Sequence, residues 1–449
     1  MPTPITSSKI ISTGSPNGNY LIDALIWGTR WVGSSITYSF PDTDAYWSTY
    51  SLTGYGPKSN PEGEPWNPSF TPISLSDRTY FNAALQQWAN VANIQFTLVP
   101  ESSRNVGDIR VAYTSIDPGA QAYTYKLQNG NAKSGDIWIG IDTTSASEEW
   151  IPGTYPFLAI MHEIGHALGL KHPFEYSPTL PFPWDTKSET IMSYSAIAGD
   201  QSSFLTFNPT TPMPLDVQSI QYIYGRNNTY HSGDDNYLFN DSQIYHETIW
   251  DSGGGNDRIA YAGYQDLTID LREGMGSYIG NPVYAESATT RDRIPNVWIA
   301  YDVLIENAYG GSGNDVIVGN DADNILNAGD GNDDLDGGIG SDTLFGNIGN
   351  DILRAGYGND MLNGGAGNDT FGFYALGHFQ VSDFIIGEDH LFFDSSKIEV
   401  NNLHDLIGYI TDINQMSDDV IVEFGPHASI ELVGINLNEI TTHMVVFAL

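Results

Sequence analysis

Cysteine is absent from the 449 residues, which excludes disulfides, thiolate metal sites and a cysteine nucleophile. Positive charge is scarce: 17 Lys+Arg stand against 55 Asp+Glu, a formal net charge of −38. That balance repels phosphate backbones and anionic lipid surfaces, so neither a nucleic acid nor a membrane is expected as a partner. No apolar run reaches the length of a membrane-spanning helix. The opening stretch, MPTPITSSKIISTGSPNGNY, has no basic cluster leading into an apolar run. It lacks the pattern of a cleavable N-terminal signal, so any export would use another route. Charged residues make up only 16% of the chain and apolar residues 40%, a composition that permits packed cores and argues against wholesale disorder. A chain of this length calls for two or three domains.

What is present falls into segments. Residues 1–19 are rich in Ser, Thr, Pro and Gly and read as a flexible tail. Residues 20–225 have the texture of an ordinary mixed globule. WVGSSITYSF predicts a first strand interrupted at Gly33, and the proline-rich stretch 41–75 a long surface loop. Ser76 to Val91 predicts an amphipathic helix capped by Ser76 or Asp77, with Phe81, Ala84, Leu85, Trp88 and Val91 on one face. IQFTLV, DIRVAY and DIWIGID read as strands. Pro156 sits in the first turn of a second helix, and a third, LDVQSIQYIYG, ends on Gly225.

Residues 226–449 differ. From Gly310 to Gly372 the chain is seven gapless nine-residue units: GGSGNDVIV, GNDADNILN, AGDGNDDLD, GGIGSDTLF, GNIGNDILR, AGYGNDMLN and GGAGNDTFG. Position six is Asp315, Asn324, Asp333, Asp342, Asp351, Asp360 and Asp369 in turn, and position eight is Ile, Leu or Phe throughout. A shorter echo, GGGNDRI, lies at 253–259. Six residues of turn and three of strand, with one apolar side chain inward, describe a parallel β-roll. Stacked position-six carboxylates repel one another unless a cation lies between them. Calcium fits, because it takes six to eight oxygens from carboxylates and turn carbonyls. The expected calcium ligands are Asp315, Asp333, Asp342, Asp351, Asp360 and Asp369, with the turn glycines Gly311, Gly313, Gly329, Gly331, Gly338, Gly340, Gly356 and Gly358. Asp251 and Asp257 join them around the 253–259 echo. The gapless register speaks against a disordered Gly/Asn/Asp-rich linker.

The chemical motif is HEIGHALGLKH, residues 162–172. His162 and His166 are four apart, so on a helix both imidazoles face one metal. Glu163 stands beside the first, placed to take a proton from activated water. Six further residues of helix turn about 600°, which would carry His172 off that face. Gly169 offers a left-handed break that lets the chain return His172 as a third ligand. Three neutral imidazoles with an open position make a catalytic zinc arrangement. Chance yields HExxH about once per hundred such chains, and Gly169 with His172 lowers that by about three orders of magnitude.

HEIGHALGLKHP, then IMSYS, LDVQSIQYIYG and LIENAYGGSGNDVIVGN resemble, in order, the blocks of the serralysin family of secreted bacterial zinc metalloproteases, within the metzincin clan. The resemblance implies an α+β metzincin-like catalytic domain over 20–225, followed by an all-β calcium-binding β-roll and β-sandwich domain over 226–449. It implies a secreted, extracellular, monomeric endopeptidase with one catalytic zinc and several structural calcium ions. Its partners would be protein substrates, a small periplasmic protein inhibitor and a type I secretion machinery that reads the C-terminus. Met192 would lie beneath the zinc ligands; Tyr194 would approach the zinc and steady the oxyanion; AQAYTY would be an edge strand that pairs with substrate. Asp383, Gly387 and Asp389 match the family's late calcium motif, although His390 and Phe392 replace more polar residues, and Ser195 replaces an aromatic. A calcium-binding adhesin could share the repeats but would not need the histidine triad with Glu163. A lipase would need a GxSxG motif, which the chain lacks.

Overall fold

The computed structural model describes residues 5–6, 10–13, 18–59, 64–103, 105–117, 120–143, 146 and 148–448. It is largely β, with few helices. No helix among the described residues is long and apolar enough to cross a membrane. The chain divides into two compact units.

The first unit comprises Met1–Tyr230, Tyr245–Ser252 and Val283–Ile294. Its sheet is built from β1 (Ser35–Ser39), β2 (Thr71–Pro72), β3 (Gln95–Leu98), β4 (Ile109–Thr114), β5 (Ala122–Thr124) and β6 (Asp136–Gly140). The order is β3-β1-β4-β6-β5, with β2 beside β4. Strands β3, β1, β4 and β6 pair in parallel, whereas β5 runs antiparallel at the edge. Strands β4 and β6 are buried at every position, as a parallel sheet covered on both faces requires. The expected WVGSSITYSF strand is two strands, Thr29–Trp31 and β1, because Gly33 turns with φ +81° between them. Within the expected N-terminal tail, residues 1–4, 7–9 and 14–17 lie outside the described residues; Ile10–Ser12 pairs antiparallel with Thr29–Trp31.

Three helices of more than two turns accompany this sheet among the described residues. The first, α1 (Leu75–Val91), buries Phe81, Ala84, Leu85, Trp88 and Val91 as the spacing predicts. Its cap corrects the expectation: Ser74, and not Ser76 or Asp77, is the N-cap, its hydroxyl accepting from the Asp77 N–H at 3.1 Å. Asp77 is instead the third helical residue and accepts from the Tyr113 hydroxyl at 2.9 Å. The 41–75 segment is also more than a surface loop. Trp47 and Tyr55 are buried against Trp138, with ring centroids 5.2–5.8 Å apart, and the Tyr55 hydroxyl donates to Asp136 at 2.6 Å. The aromatic residues of this proline-rich stretch pack against the sheet residues Ala112 and Trp138.

Helix α2 (Tyr155–Leu168) carries the motif and is buried from Pro156 to Leu168, a core helix rather than a surface one. The carbonyls of its last turn find no helical N–H. Those of Ala167 and Leu168 accept instead from the Trp31 indole at 2.8 Å and the Tyr224 hydroxyl at 2.9 Å. Tyr224 ends α3 (Pro214–Tyr224), which stops at Gly225. Gly169 closes α2 in the left-handed region, φ +110° and ψ +11°, with the Leu170 N–H returning to the Gly165 carbonyl at 2.9 Å.

The second unit comprises His231–Ile244, Gly253–Pro282 and Pro295–Leu449. Successive strands of the repeat alternate between two parallel sheets. One contains Ile325–Asp330, Thr343–Ile348 and Gly358–Ala366; the other contains Asp334–Asp336, Ile352–Arg354 and Thr370–Phe373. Ile325 pairs with Thr343 and Thr343 with Met361, a step of two nine-residue units. Position eight points inward everywhere: Ile317, Leu326, Leu335, Leu344, Leu353, Leu362 and Phe371 are all fully buried. The repeat glycines make room for the coil before, since a Cβ at Gly349 or Gly358 would collide with the carbonyl oxygen of Gly331 or Gly340.

At Gly169 a Cβ would both strain the left-handed backbone and strike the Thr29 carbonyl oxygen. Gly169→Ala is therefore expected to lower stability by about 2–4 kcal/mol, read as a shifted urea midpoint with unchanged m-value.

Candidate active site

The geometry of the site follows from the end of α2. His162 and His166 lie one helical turn apart with ring centroids 4.7 Å from each other. The bend at Gly169 returns the chain so that His172 Nε2 lies 3.1 Å from His162 Nε2 and 3.0 Å from His166 Nε2. The outer ring nitrogens are turned to protein acceptors. His162 Nδ1 faces the Ile191 carbonyl at 2.8 Å, and His166 Nδ1 the Leu170 carbonyl at 2.9 Å. His172 Nδ1 lies 3.1 Å from the Glu175 carboxylate, outside good hydrogen-bond direction. Carbonyls accept only, so His162 and His166 carry their protons on Nδ1 and their Nε2 lone pairs face inward. Burial holds all three imidazoles below the usual histidine pKa, His166 down to about 3. These are uncharged donors, the form a metal ion binds.

Converging lone pairs at this distance repel unless a cation lies among them. A zinc ion bonded at about 2.0–2.1 Å to each nitrogen requires donors about this close together. The three histidines therefore fit the metal. Packing beneath them supports the arrangement. Met192 is fully buried, and a Cβ at Gly165 would lie 2.7 Å from its sulfur, so the thioether lies directly against the helix between the two ligands.

Glu163 is 6% exposed, and burial pushes its carboxyl up to about 7. The Thr124 hydroxyl donates to its Oε2 at 2.6 Å, tying the carboxylate to edge strand β5. The Tyr194 hydroxyl lies 2.9 Å from His172 Nε2, with its ring half-exposed. Burial holds its pKa above the usual phenol range, so the hydroxyl keeps its proton. Two cavities flank the cluster. The larger, about 560 Å³, is lined by Ala120, Ala122, Tyr155, His162, Lys187 and Tyr194, among others. The smaller, about 220 Å³, lies toward Thr124, Lys126, His172 and Glu175.

The expected calcium ligands fall into distinct groups. Position six is buried throughout the repeats. Its Oδ1 accepts the N–H of the residue two units earlier: Asp333 to Asp351, Asp342 to Asp360 and Asp351 to Asp369 are bonded at 2.8–2.9 Å. The second oxygens of Asp333, Asp342, Asp351 and Asp360 are buried without a hydrogen-bond partner among the described residues. Burial pushes these carboxyls up, Asp342 to about 7 and the other three to about 6. Both oxygens of Asp315, Asp383 and Asp389 are engaged by backbone N–H groups instead. Asp369 accepts from Asp351. The carbonyls of Gly311 and Gly338 accept from Asp330 and Tyr357; Gly329, Gly331, Gly340, Gly356 and Gly358 turn with positive φ, while Gly313 does not. Asp251 belongs to the first unit and Asp257 to the second. Asn324 fills its own position, its amide donating to the Glu306 carbonyl and to Asn320 Oδ1.

Three residues of the site escape sequence reasoning: Thr124, Lys187 and Asp216. Asp216, in the first turn of α3, accepts from the Thr190 hydroxyl at 2.6 Å, the Ile191 N–H at 2.7 Å and the Met213 N–H at 2.9 Å. It thereby anchors the backbone at Ile191, the residue whose carbonyl faces His162. Its only sequence signal is an acid at a helix start, which normally marks a local cap. Asp216→Asn puts an amide N–H₂ against donors and is expected to cost about 2–4 kcal/mol in urea unfolding.

Comparison with known proteins places these features. The Matrixin family model matches residues 72–189, and the model described as Peptidase M10 serralysin C terminal matches residues 215–448. The serralysin of Proteus mirabilis is 33% identical over 344 residues, 69% of this chain and 62% of that protein. The serralysin of Photorhabdus luminescens is 33% identical over 296 residues, 60% and 58% of the two chains. The metalloprotease AprA of Pseudomonas entomophila is 32% identical over 286 residues, 58% and 56%. The matches thus span about three-fifths of the length of these relatives. With the C-terminal model covering more than half of its residues, the chain belongs to the serralysin family of metzincins.

Proposed function

We propose that the chain is a secreted endopeptidase that cleaves peptide bonds of extracellular proteins, with zinc at His162, His166 and His172 and calcium along its repeats. The observation that carries the reading is the convergence of three neutral Nε2 atoms beside a buried carboxylate. Zinc held there would supply Lewis acidity, polarising a scissile carbonyl and acidifying a water. Glu163 is the general base. A carboxyl held near 7 accepts a proton readily at neutral pH and returns it to the leaving amine. Thr124 steadies one of its oxygens and leaves the other to face the reaction. Tyr194 keeps its phenolic proton and donates a hydrogen bond to the developing oxyanion. Strand β5 has an open edge, and an extended substrate can add to it as a further strand.

In this reading residues 20–225 are the catalytic domain and residues 226–449 a calcium-stabilised β-roll. The alternating parallel sheets support the β-roll, and the four unpartnered carboxylate oxygens support calcium. Asp333, Asp342, Asp351 and Asp360 would hold the ions with carbonyls of the adjoining turns, the hard oxygen donors that calcium takes. Asp315, Asp369, Asp383 and Asp389 extend the set at the ends of the repeat, and Asp257 in the echo at 253–259. Scarce calcium inside a cell would leave the repeats unfolded and exportable, and abundant calcium outside would fold them.

Glu163→Gln is expected to bind zinc and lower casein hydrolysis by at least about a thousandfold, whereas Tyr194→Phe lowers kcat about ten- to a hundredfold with KM changed less. Full activity in Glu163→Gln contradicts the mechanism, and o-phenanthroline should stop hydrolysis by the unaltered protein. Removing calcium with EGTA is expected to reduce the far-UV circular dichroism strand signal, with recovery on adding calcium back; an unchanged spectrum contradicts the calcium role.

A further inference from the structure

The two buried lysines of the catalytic unit differ in a way that bears on substrate choice. Lys171, 3% exposed, donates to the carbonyls of Glu175, Tyr176 and Pro178 at 2.6–3.1 Å. It is fully satisfied inside the loop that follows His172. Lys187, 8% exposed, lines the 560 Å³ cavity, and its ammonium has no hydrogen-bond acceptor and no carboxylate within ion-pair distance among the described residues. A largely buried cation with no counter-charge beside it favours an anionic ligand over water.

Several other polar groups of that cavity are engaged within the protein. The Ser193 hydroxyl donates to Asp185 at 2.6 Å, and the Ser203 hydroxyl accepts from the N–H groups of Ala196 and Ile197 at 2.9 and 2.8 Å. The Asn208 amide donates to the Gly153 carbonyl at 3.4 Å. Glu163, which shares the wall, is tied to Thr124. Lys187 is the cationic side chain of that lining.

Strand β5 sets which part of a substrate reaches it. Antiparallel pairing is the more stable ladder. A peptide added antiparallel to β5 runs from the Thr124–Lys126 side, past the histidines, to the Ala120–Ala122 side. Thr124 and Lys126 line the smaller cavity; Ala120 and Ala122 line the one that holds Lys187. The residue just after the cleaved bond therefore turns toward Lys187. We infer, on the basis of the endopeptidase reading, that Lys187 is a specificity-determining residue that selects Asp or Glu immediately C-terminal to the scissile bond.

The test uses the full chain and paired, internally quenched, C-terminally amidated peptides that differ only in Asp against Asn, or Glu against Gln, after the cleaved bond. Amidation removes the terminal carboxylate as a competing anion. The unaltered protein is expected to favour the acidic member by at least about tenfold in kcat/KM. Lys187→Arg should keep that preference, Lys187→Met bring the ratio to about one, and Lys187→Glu invert it. The same ranking is expected in equilibrium binding of the peptides to Glu163→Gln protein, a readout independent of turnover. Equal rates for the two members in the unaltered protein, or an unchanged ratio in Lys187→Met, overturn the inference and leave the endopeptidase reading standing. Should Lys187→Met fail to fold, the ratio in the unaltered protein still decides. Cleavage of no peptide at all overturns both.

Discussion

Neutral imidazoles do not gather of their own accord: three nitrogen lone pairs at 3.0–3.1 Å are held together here by the protein around them. Two hydrogen bonds do most of that holding, from His162 to the Ile191 carbonyl and from His166 to the Leu170 carbonyl. Each depends on a different device. The Leu170 carbonyl is in place because Gly169 ends the helix in a left-handed turn. The Ile191 carbonyl is in place because Asp216, reaching from another helix, grips the Ile191 N–H. The first unit is organised around these two carbonyls, with the buried helix α2 as their support.

The second unit poses a related problem with carboxylates in place of neutral imidazoles. Its nine-residue period places one apolar side chain inward per unit and, in every unit but that of Asn324, buries a carboxylate beside it. One oxygen of each central carboxylate accepts a backbone N–H from the coil before, and the other has no hydrogen-bond partner among the described residues. Only where the repeat begins or ends do both oxygens find protein donors, as at Asp315 and Asp389. In both units, then, buried donor atoms outnumber the protein groups available to satisfy them. The two sets differ in hardness: nitrogen in one, carboxylate oxygen in the other.

Regular spacing is what made parts of this structure legible from the residues alone. The four-residue interval of His162 and His166, the bend at Gly169 and the inward position eight all follow from helical or nine-residue periods. The buried face of α1 follows from the same arithmetic, though its cap lies two residues earlier than expected because Ser74 reaches Asp77. Contacts between segments distant in sequence were not legible. Thr124 meets Glu163 across 39 residues and Asp216 meets Thr190 across 26. Neither distance leaves a local pattern. The aromatic cover formed by Trp47 and Tyr55 was hidden for a similar reason, since proline-rich composition signals irregular backbone and says nothing about burial.

The central claim is that the three imidazoles hold one transition metal. Its most direct measurement is metal content by mass spectrometry on the calcium-loaded chain after zinc exposure and exhaustive dialysis. The account predicts one zinc per chain, and none retained when His166 is replaced by alanine in a chain that still folds. A folded chain that keeps its calcium and retains no zinc would contradict it.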